Sequence, residues 1–292
     1  QEAVQQTIET FLSMPDEEAR TYFQLGVDAR DWKVIYARAD LKTRYPNDGS
    51  FIQVLYRPFD HRWTFYTGTS KGFHCYPRYE VMRNFLGVKN LGLILNKPAQ
   101  GGAQFYSDVF VTTGVTDQSA FSAMNRSPFV VPLYVVPDTK QTAALSQGVQ
   151  PNLDAKLVEQ LATGIGLTYR FDANDLWAHG SGKDLTPLDV LDYCYAVLHS
   201  PAYRAKYKEF LKSDFPRIPY PTDAKKFRAL VKLGARLRQL HLLEDPAVEQ
   251  FITKYPAAGD NTVSRKMTAK SPGFEPDAKG LGRVWINDQQ YF

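Results

Sequence analysis

The sequence predicts a mixed α/β (α+β) fold, a β-rich half followed by a helical half that buttresses it, and three observations carry that prediction. Apolar positions recur at helical spacing over the first 45 residues, residues 51–137 break into short apolar and aromatic runs punctuated by Gly, Pro, Asn and Asp, and helical capping signals return after residue 151. With 292 residues, 43% apolar and 13% aromatic, the chain can bury one large core or two modest ones.

Residues 4–14 read as a first helix, Asp16 as the cap of a second that runs into Glu17, Glu18 and Ala19, and 32–42 as a third. Residues 1–45 are thus expected to be a helical connector or platform, and 46–292 a single domain. Its parts are a β-rich part (46–140), a helical part (151–250) and a C-terminal loop and strand (251–292). Strands are expected at 51–56, 63–66, 91–95, 106–112 and 129–136, with one helix at 77–85 introduced by Pro77. Residues 138–150, rich in Thr, Ala, Gln and Ser, read as a surface loop. Asn152 is expected to cap a helix that ends at Gly164, and Thr186-Pro187-Leu188-Asp189 is a helix-start signature before 190–199. Pro201 opens another helix, to about residue 213. Residues 223–243 give a long one with Phe227, Leu230, Gly234 and Leu237 on one face and Lys225, Arg228, Lys232 and Arg236 on another. A last strand is expected at 283–287.

No apolar run reaches the ~20 residues of a membrane helix and no signal-peptide pattern opens the chain, so a cytoplasmic protein is expected. Two cysteines, Cys75 and Cys194, are too few for a disulfide scaffold. The chain starts at Gln1, without Met and already in a helical pattern, so a fragment or a processed chain is expected. Net charge is +4, unevenly spread: residues 201–242 hold eleven Lys/Arg against three Asp/Glu, and 57–97 hold seven against two. Basic faces on an otherwise acidic body are the footprint of phosphate binding, and also of solvated helices.

The constellations of common enzymes are missing. There is no Asn/Asp-Pro-Pro-aromatic motif of an adenine methyltransferase and no Glu-x-Lys of a carboxylate nuclease. Gly180-Ser181-Gly182-Lys183 lacks the phosphate-loop frame, because Trp177 stands where the first Gly belongs and Asp184 where Ser/Thr should follow, so it reads as a turn. Asp60, His61, His74 and Cys75 are the one set that a self-contained metal enzyme would use, but their spacing does not suit zinc. His179, His199 and His241 lie in or beside helices and read as structural, and no serine sits in a nucleophile elbow.

Three stretches together resemble the C-terminal specificity region of type ISP restriction-modification enzymes. The first runs Tyr56-Arg57-Pro58-Phe59-Asp60-His61-Arg62-Trp63-Thr64-Phe65-Tyr66, followed by Tyr76-Pro77-Arg78-Tyr79-Glu80-Val81-Met82. The second is Tyr195-Ala196-Val197-Leu198-His199-Ser200-Pro201-Ala202-Tyr203-Arg204, then Tyr207, Phe210-Leu211-Lys212 and Asp214-Phe215-Pro216-Arg217-Ile218-Pro219. The third joins Leu233-Gly234, Leu237-Arg238 and Leu240-His241-Leu242-Leu243 to Ile286-Asn287 and Gln290-Tyr291-Phe292.

The resemblance implies a DNA target recognition module that sets the sequence methylated and cut by other parts of a longer chain. Its partners would be double-stranded DNA and the parent's methyltransferase. It implies no cofactor here, with S-adenosylmethionine, ATP and Mg used by the parent. Such a module holds phosphates and reads base edges, mostly with Arg, Lys, Asn and Gln. Base-reading candidates are Gln100, Gln104, Thr112, Thr113, Thr116, Asp117, Gln118, Asn125 and Arg126, with Arg265 and Lys266 in a later loop. Phosphate candidates are Lys225, Arg228, Lys232 and Arg236. The motif residues Arg57, Asp60 and Arg62 are expected to form a buried or half-buried ion network under Phe59, Trp63, Phe65 and Tyr66, and Arg217 to cap a helix end. Two rival readings are a docking platform for the methyltransferase and the metal enzyme above.

Overall fold

The computed structural model describes residues 1–96, 108–121, 128–137, 148–268, 271, 273–278 and 281–292. Residues Gln1–Leu243 make one compact unit and Glu244–Phe292 a second. The architecture is mixed, with helices and several small, separate sheets.

Three helices open the first unit: α1 (Glu2–Ser13), α2 (Asp16–Tyr22) and α3 (Val34–Arg44). Ile8, Phe11, Ala19, Val34 and Leu41 bury their side chains together with Phe65. Asp16 is the first helical residue of α2 and Pro15 holds the cap position. The Asp16 carboxylate instead takes the Arg38 guanidinium, which also donates to Phe11 O at 2.9 Å. A buried Arg therefore ties all three helices.

Strands β1 (Ser50–Arg57) and β2 (Asp60–Tyr66) form an antiparallel hairpin pairing Phe51 with Phe65, Gln53 with Trp63 and Val54 with Arg62, with a slip between Leu55 and Arg57. Helix α4 (Tyr79–Met82) continues as a 3-10 turn, Arg83–Phe85. Strand β3 (Gly92–Leu95) is the centre of a three-stranded antiparallel sheet between β4 (Val109–Thr112) and β5 (Phe129–Pro132), and β6 (Tyr134–Val135) pairs with β7 (Gln150–Pro151).

Helix α5 (Ala155–Gly164) is capped by Asp154, which accepts from Leu157 N at 3.0 Å. Asn152, the expected cap, donates instead to Pro132 O at 2.9 Å, stitching the helix entry to β5. Short parallel strands β8 (Thr168–Tyr169) and β9 (Asp184–Leu185) precede α6 (Pro187–His199), which has the capping box expected of Thr186 and Asp189. Helix α7 (Pro201–Lys206) is shorter than its pattern suggested and gives way to a 3-10 turn at Phe210–Lys212. Helix α8 (Ala224–His241) is capped by Asp223.

The main core gathers Val111, Leu185, Leu188, Tyr195, Leu198 and Phe227. Burying each such side chain contributes roughly 1.5–3 kcal/mol. Helices α6 and α8 cross at Gly234, where a Cβ would stand 1.9 Å from Asp192 O, so this position takes a residue without a side chain. In the second unit β10 (Phe274–Pro276) and β11 (Gly282–Val284) form a hairpin, and Gln290, 1% exposed, accepts from Asn261 N and donates to Ala257 O.

Candidate nucleic-acid interface

The described site residues expected from sequence fall in five places. At the hairpin tip, left-handed Phe59 turns the chain from β1 into β2. The expected ion network is two separate pairs, with Arg57 and Asp60 half-buried and Arg62 exposed. Arg62 grips Asp60 at 2.9 Å and is 58% exposed, whereas Arg57 pairs with Asp117 at 3.2 Å. Both guanidiniums lie over the Tyr56 ring, at 3.9 Å for Arg57 and 3.8 Å for Arg62. Of the aromatic cover only Phe65 and Tyr66 are buried; Phe59 and Trp63 are 52% and 44% exposed. The surface thus presents cations stacked on an aromatic ring, a form suited to phosphate and base contacts. Arg217 is also a surface cation: it stands 3.5 Å from Asp214 and 5.0 Å from the Phe210 ring centre, and among the described residues it makes no helix-capping bond.

Residues 113–118 run beside β1, with Leu55 donating to Val115 O at 2.9 Å and Asp117 donating to Leu55 O at 3.0 Å. Thr112 and Thr116 are buried; the Thr112 hydroxyl donates to Gly114 O at 2.9 Å and stands 3.4 Å from that of Thr116, so both hydroxyls have partners within the protein. Thr113 is exposed, and Asp117 and Gln118 are half-buried. Gln100, Gln104, Asn125 and Arg126 lie outside the described residues.

Loop 67–78 faces residues 115–118 across a cavity of about 170 Å³. Asp40 of α3 and the turn before that helix hold this loop. Asp40 accepts from the Thr67 hydroxyl at 2.6 Å and Phe73 N at 2.9 Å, Trp32 donates to Phe73 O at 3.0 Å, and Asp31 takes the Cys75 thiol and Tyr76 N, both at 3.1 Å. Burial and the Asp31 hydrogen bond push the Cys75 thiol up to about 11, so it stays protonated. His74 Nε2 lies 2.9 Å from the Thr64 hydroxyl, and burial takes the ring down to about 4, leaving it neutral.

On α8, Lys225, Lys232 and Arg236 are exposed. Arg228 departs from the expected phosphate stripe: its guanidinium turns inward, 2.9 Å from Asp189, and also donates to Asp184 O. Asp189 accepts further from His179 at 2.8 Å, Gly180 N at 3.0 Å and Thr186 N at 3.1 Å. Burial alone would raise this carboxyl, but these bonds and the Arg228 charge hold it below the usual carboxylate range. Beside it Asp192 and Arg238, 0% and 4% exposed, form a two-pronged pair at 2.8 and 3.1 Å. Sequence reasoning missed this cluster. Only the Asp189 capping position hinted at it.

In the second unit Arg265 and Lys266 are exposed, and Arg265 lies 3.6 Å from Glu275. The alternative metal set is dispersed, with His61 exposed, His74 on Thr64 and Cys75 on Asp31. Among the described residues no three His, Cys, Asp or Glu gather at one point. Gly180-Ser181-Gly182-Lys183 is a turn, closed by Asp184 N donating to Ser181 O at 2.9 Å, with Gly182 at φ +56. It borders a cavity of about 620 Å³ whose charged lining is Asp172, Asp175 and the Arg170–Asp184 pair. No helix among the described residues is long and apolar enough to cross a membrane.

The chain is similar, at 18% identity and a TM-score of 0.54 over 99% of its length, to part of a chain in a cryo-electron-microscopy structure of a DrdV–DNA complex. It is also similar, at 18% identity and a TM-score of 0.49 over 99% of its length, to part of a nuclease-deletion mutant of the type ISP restriction-modification enzyme LlaGI in complex with a DNA substrate mimic. It spans about a quarter of each of those chains, 25% and 23% respectively. No curated protein matches it. The family model of the type ISP C-terminal specificity domain matches residues 1–292 without remainder, and the chain belongs to that family.

Proposed function

We propose that this domain selects the DNA sequence on which a longer restriction-modification enzyme acts, binding double-stranded duplex while a methyltransferase in the same parent chain modifies an adenine. The observation that carries the reading is the match of a specificity-domain family to all 292 residues. The stacked cations at Tyr56 and the exposed Lys225, Lys232 and Arg236 of α8 support it. Phosphate contacts by such side chains supply sequence-independent affinity, and neighbouring polar side chains supply the choice of bases. S-adenosylmethionine, ATP and Mg belong to the other parts of the parent, which would work in the cytoplasm on cellular or invading DNA. The test is affinity for random-sequence duplex across a salt series. Log affinity falling linearly with log salt supports the reading; binding that is absent or indifferent to salt at low ionic strength refutes it.

A second reading, a docking platform for the methyltransferase, has its own observation. Tyr22, Val27 and Ile35 in and beside the first helices are large apolar residues left exposed.

A further inference from the structure

We propose that the cavity between β2, residues 74–77 and residues 115–118 is a nucleobase site in which His74, Asp117 and Gln118 read the base edge and Tyr76 closes the rim. The proposal rests on the reading that this domain recognises DNA, and deepens it by naming where one base is received.

The cavity, about 170 Å³, far exceeds the ~10–15 Å³ that a single water needs. Val54, Val115 and Pro77 give it an apolar wall, and His74, Asp117 and Gln118 give it an edge of donors and acceptors. That pairing fits a flat heterocycle with amino and carbonyl groups on its rim. It does not fit a phosphate, which a neutral imidazole and a carboxylate would reject. His74 Nδ1 is buried and has no hydrogen-bond partner among the described residues, whereas its Nε2 is held by Thr64. Orphaned buried polar atoms are rare, and a neutral imidazole offers either a donor or an acceptor at the free nitrogen according to its tautomer. Base edges present both.

The backbone around this atom argues the same way. Lys71, Tyr76 and Arg78 are non-glycine residues in the left-handed region, at φ +53, +48 and +50. Such conformations persist only where the surroundings over-determine them, and they gather at functional sites. Here Asp31, Trp32 and Asp40 do the holding, so the helical entry segment positions the reading loop. Tyr76, whose amide is fixed by Asp31, keeps an exposed ring at the rim. Arg57, bonded to Asp117, stacks on Tyr56 with Arg62, placing cations beside the cavity for the flanking phosphates.

The test uses the full chain and a randomised duplex pool, with selection read position by position for the unaltered protein, His74→Gln and Tyr76→Ala. Thermal melts verify that each variant folds, and the exposed Tyr76 keeps the test open should His74→Gln unfold. The expected result is a loss of preference of about tenfold at one target position, with unchanged affinity for non-cognate duplex. A second pair of probes, fully paired duplex and duplex with one unpaired nucleotide at that position, separates a base read in the groove from one drawn out of the stack. Tighter binding of the unpaired probe by about tenfold assigns an extruded base, and tighter binding of the paired probe a groove edge. Preferences unchanged at every position in a folded variant, or weakened equally at all, overturn the proposal. An unaltered chain that binds duplex without any preference would instead defeat the DNA-reading function on which it stands.

Discussion

Arg228 decides between a reading by helical periodicity and one by packing. Spacing places it in a phosphate-binding stripe with Lys225, Lys232 and Arg236, but the structure places its guanidinium 2.9 Å from an Asp189 carboxylate with no exposed surface. Replacing Arg228 by Met keeps the stem and removes the charge. Breaking a fully buried pair costs about 3–5 kcal/mol. Asp189 would keep His179, Gly180 N and Thr186 N, and the Arg228 side chain is 28% exposed, so about 2 kcal/mol is expected here. For a unit the size of Gln1–Leu243 that lowers Tm by about 4–8 °C. The assay pairs a circular-dichroism melt with duplex binding in a salt series at a temperature where both proteins are folded. Affinity and slope should stay as they were. An unchanged Tm with a slope reduced by about 0.9, the share of one phosphate contact, would refute the inward assignment.

Other outcomes follow from the same geometry. Lys225→Ala with Lys232→Ala removes two exposed cations and should lower the salt slope by about 1.8 without moving Tm; an unchanged slope takes the DNA backbone away from α8. Gly234→Ala sets a Cβ against Asp192 O, a backbone atom, and should destabilise by about 2 kcal/mol or more in chemical denaturation. A gain of about 1 kcal/mol, as helix propensity alone gives, would contradict the close α6–α8 crossing. His74 and His199 are both taken down to about 4, chiefly by burial. In the unfolded chain they take up protons near pH 6.5 while the folded chain does not, so stability is whole above that pH and falls between pH 6.5 and 4. By pH 5 the loss is roughly 2 kcal/mol for each histidine. Equal stability at pH 7 and pH 5 would mean that these rings are solvated.

The sequence made some of this legible and hid the rest for physical reasons. The α8 pattern revealed its inner face, since apolar side chains at helical spacing leave few choices, and Phe227, Gly234 and Leu237 do face the core. Apolar periodicity says nothing about where a charge at the margin of that face will turn. Arg228 and Arg238 find carboxylates 39 and 46 residues away, and only the packing of α6 on α8 brings them within reach. The capping box at Thr186 was readable because it is local, whereas the burial of Asp189 is not. At the hairpin, aromatic density suggested a covered ion network, yet strand alternation and the tip leave Phe59 and Trp63 outside. The cavity at His74 was invisible for a similar reason. Its walls come from β1, β2, a left-handed loop and residues 115–118, and the carboxylates that hold the loop, Asp40 of α3 and Asp31 of the turn before it, lie in the entry segment.

The central claim is that this domain chooses the sequence. Its most direct measurement is a domain exchange: residues 1–292 are transplanted in place of the corresponding domain of a type ISP enzyme with a different target, and methylated adenines are mapped across a bacterial genome. Methylation is expected to move to a new sequence that belongs to this domain. Methylation that stays at the recipient's original sequence would contradict it.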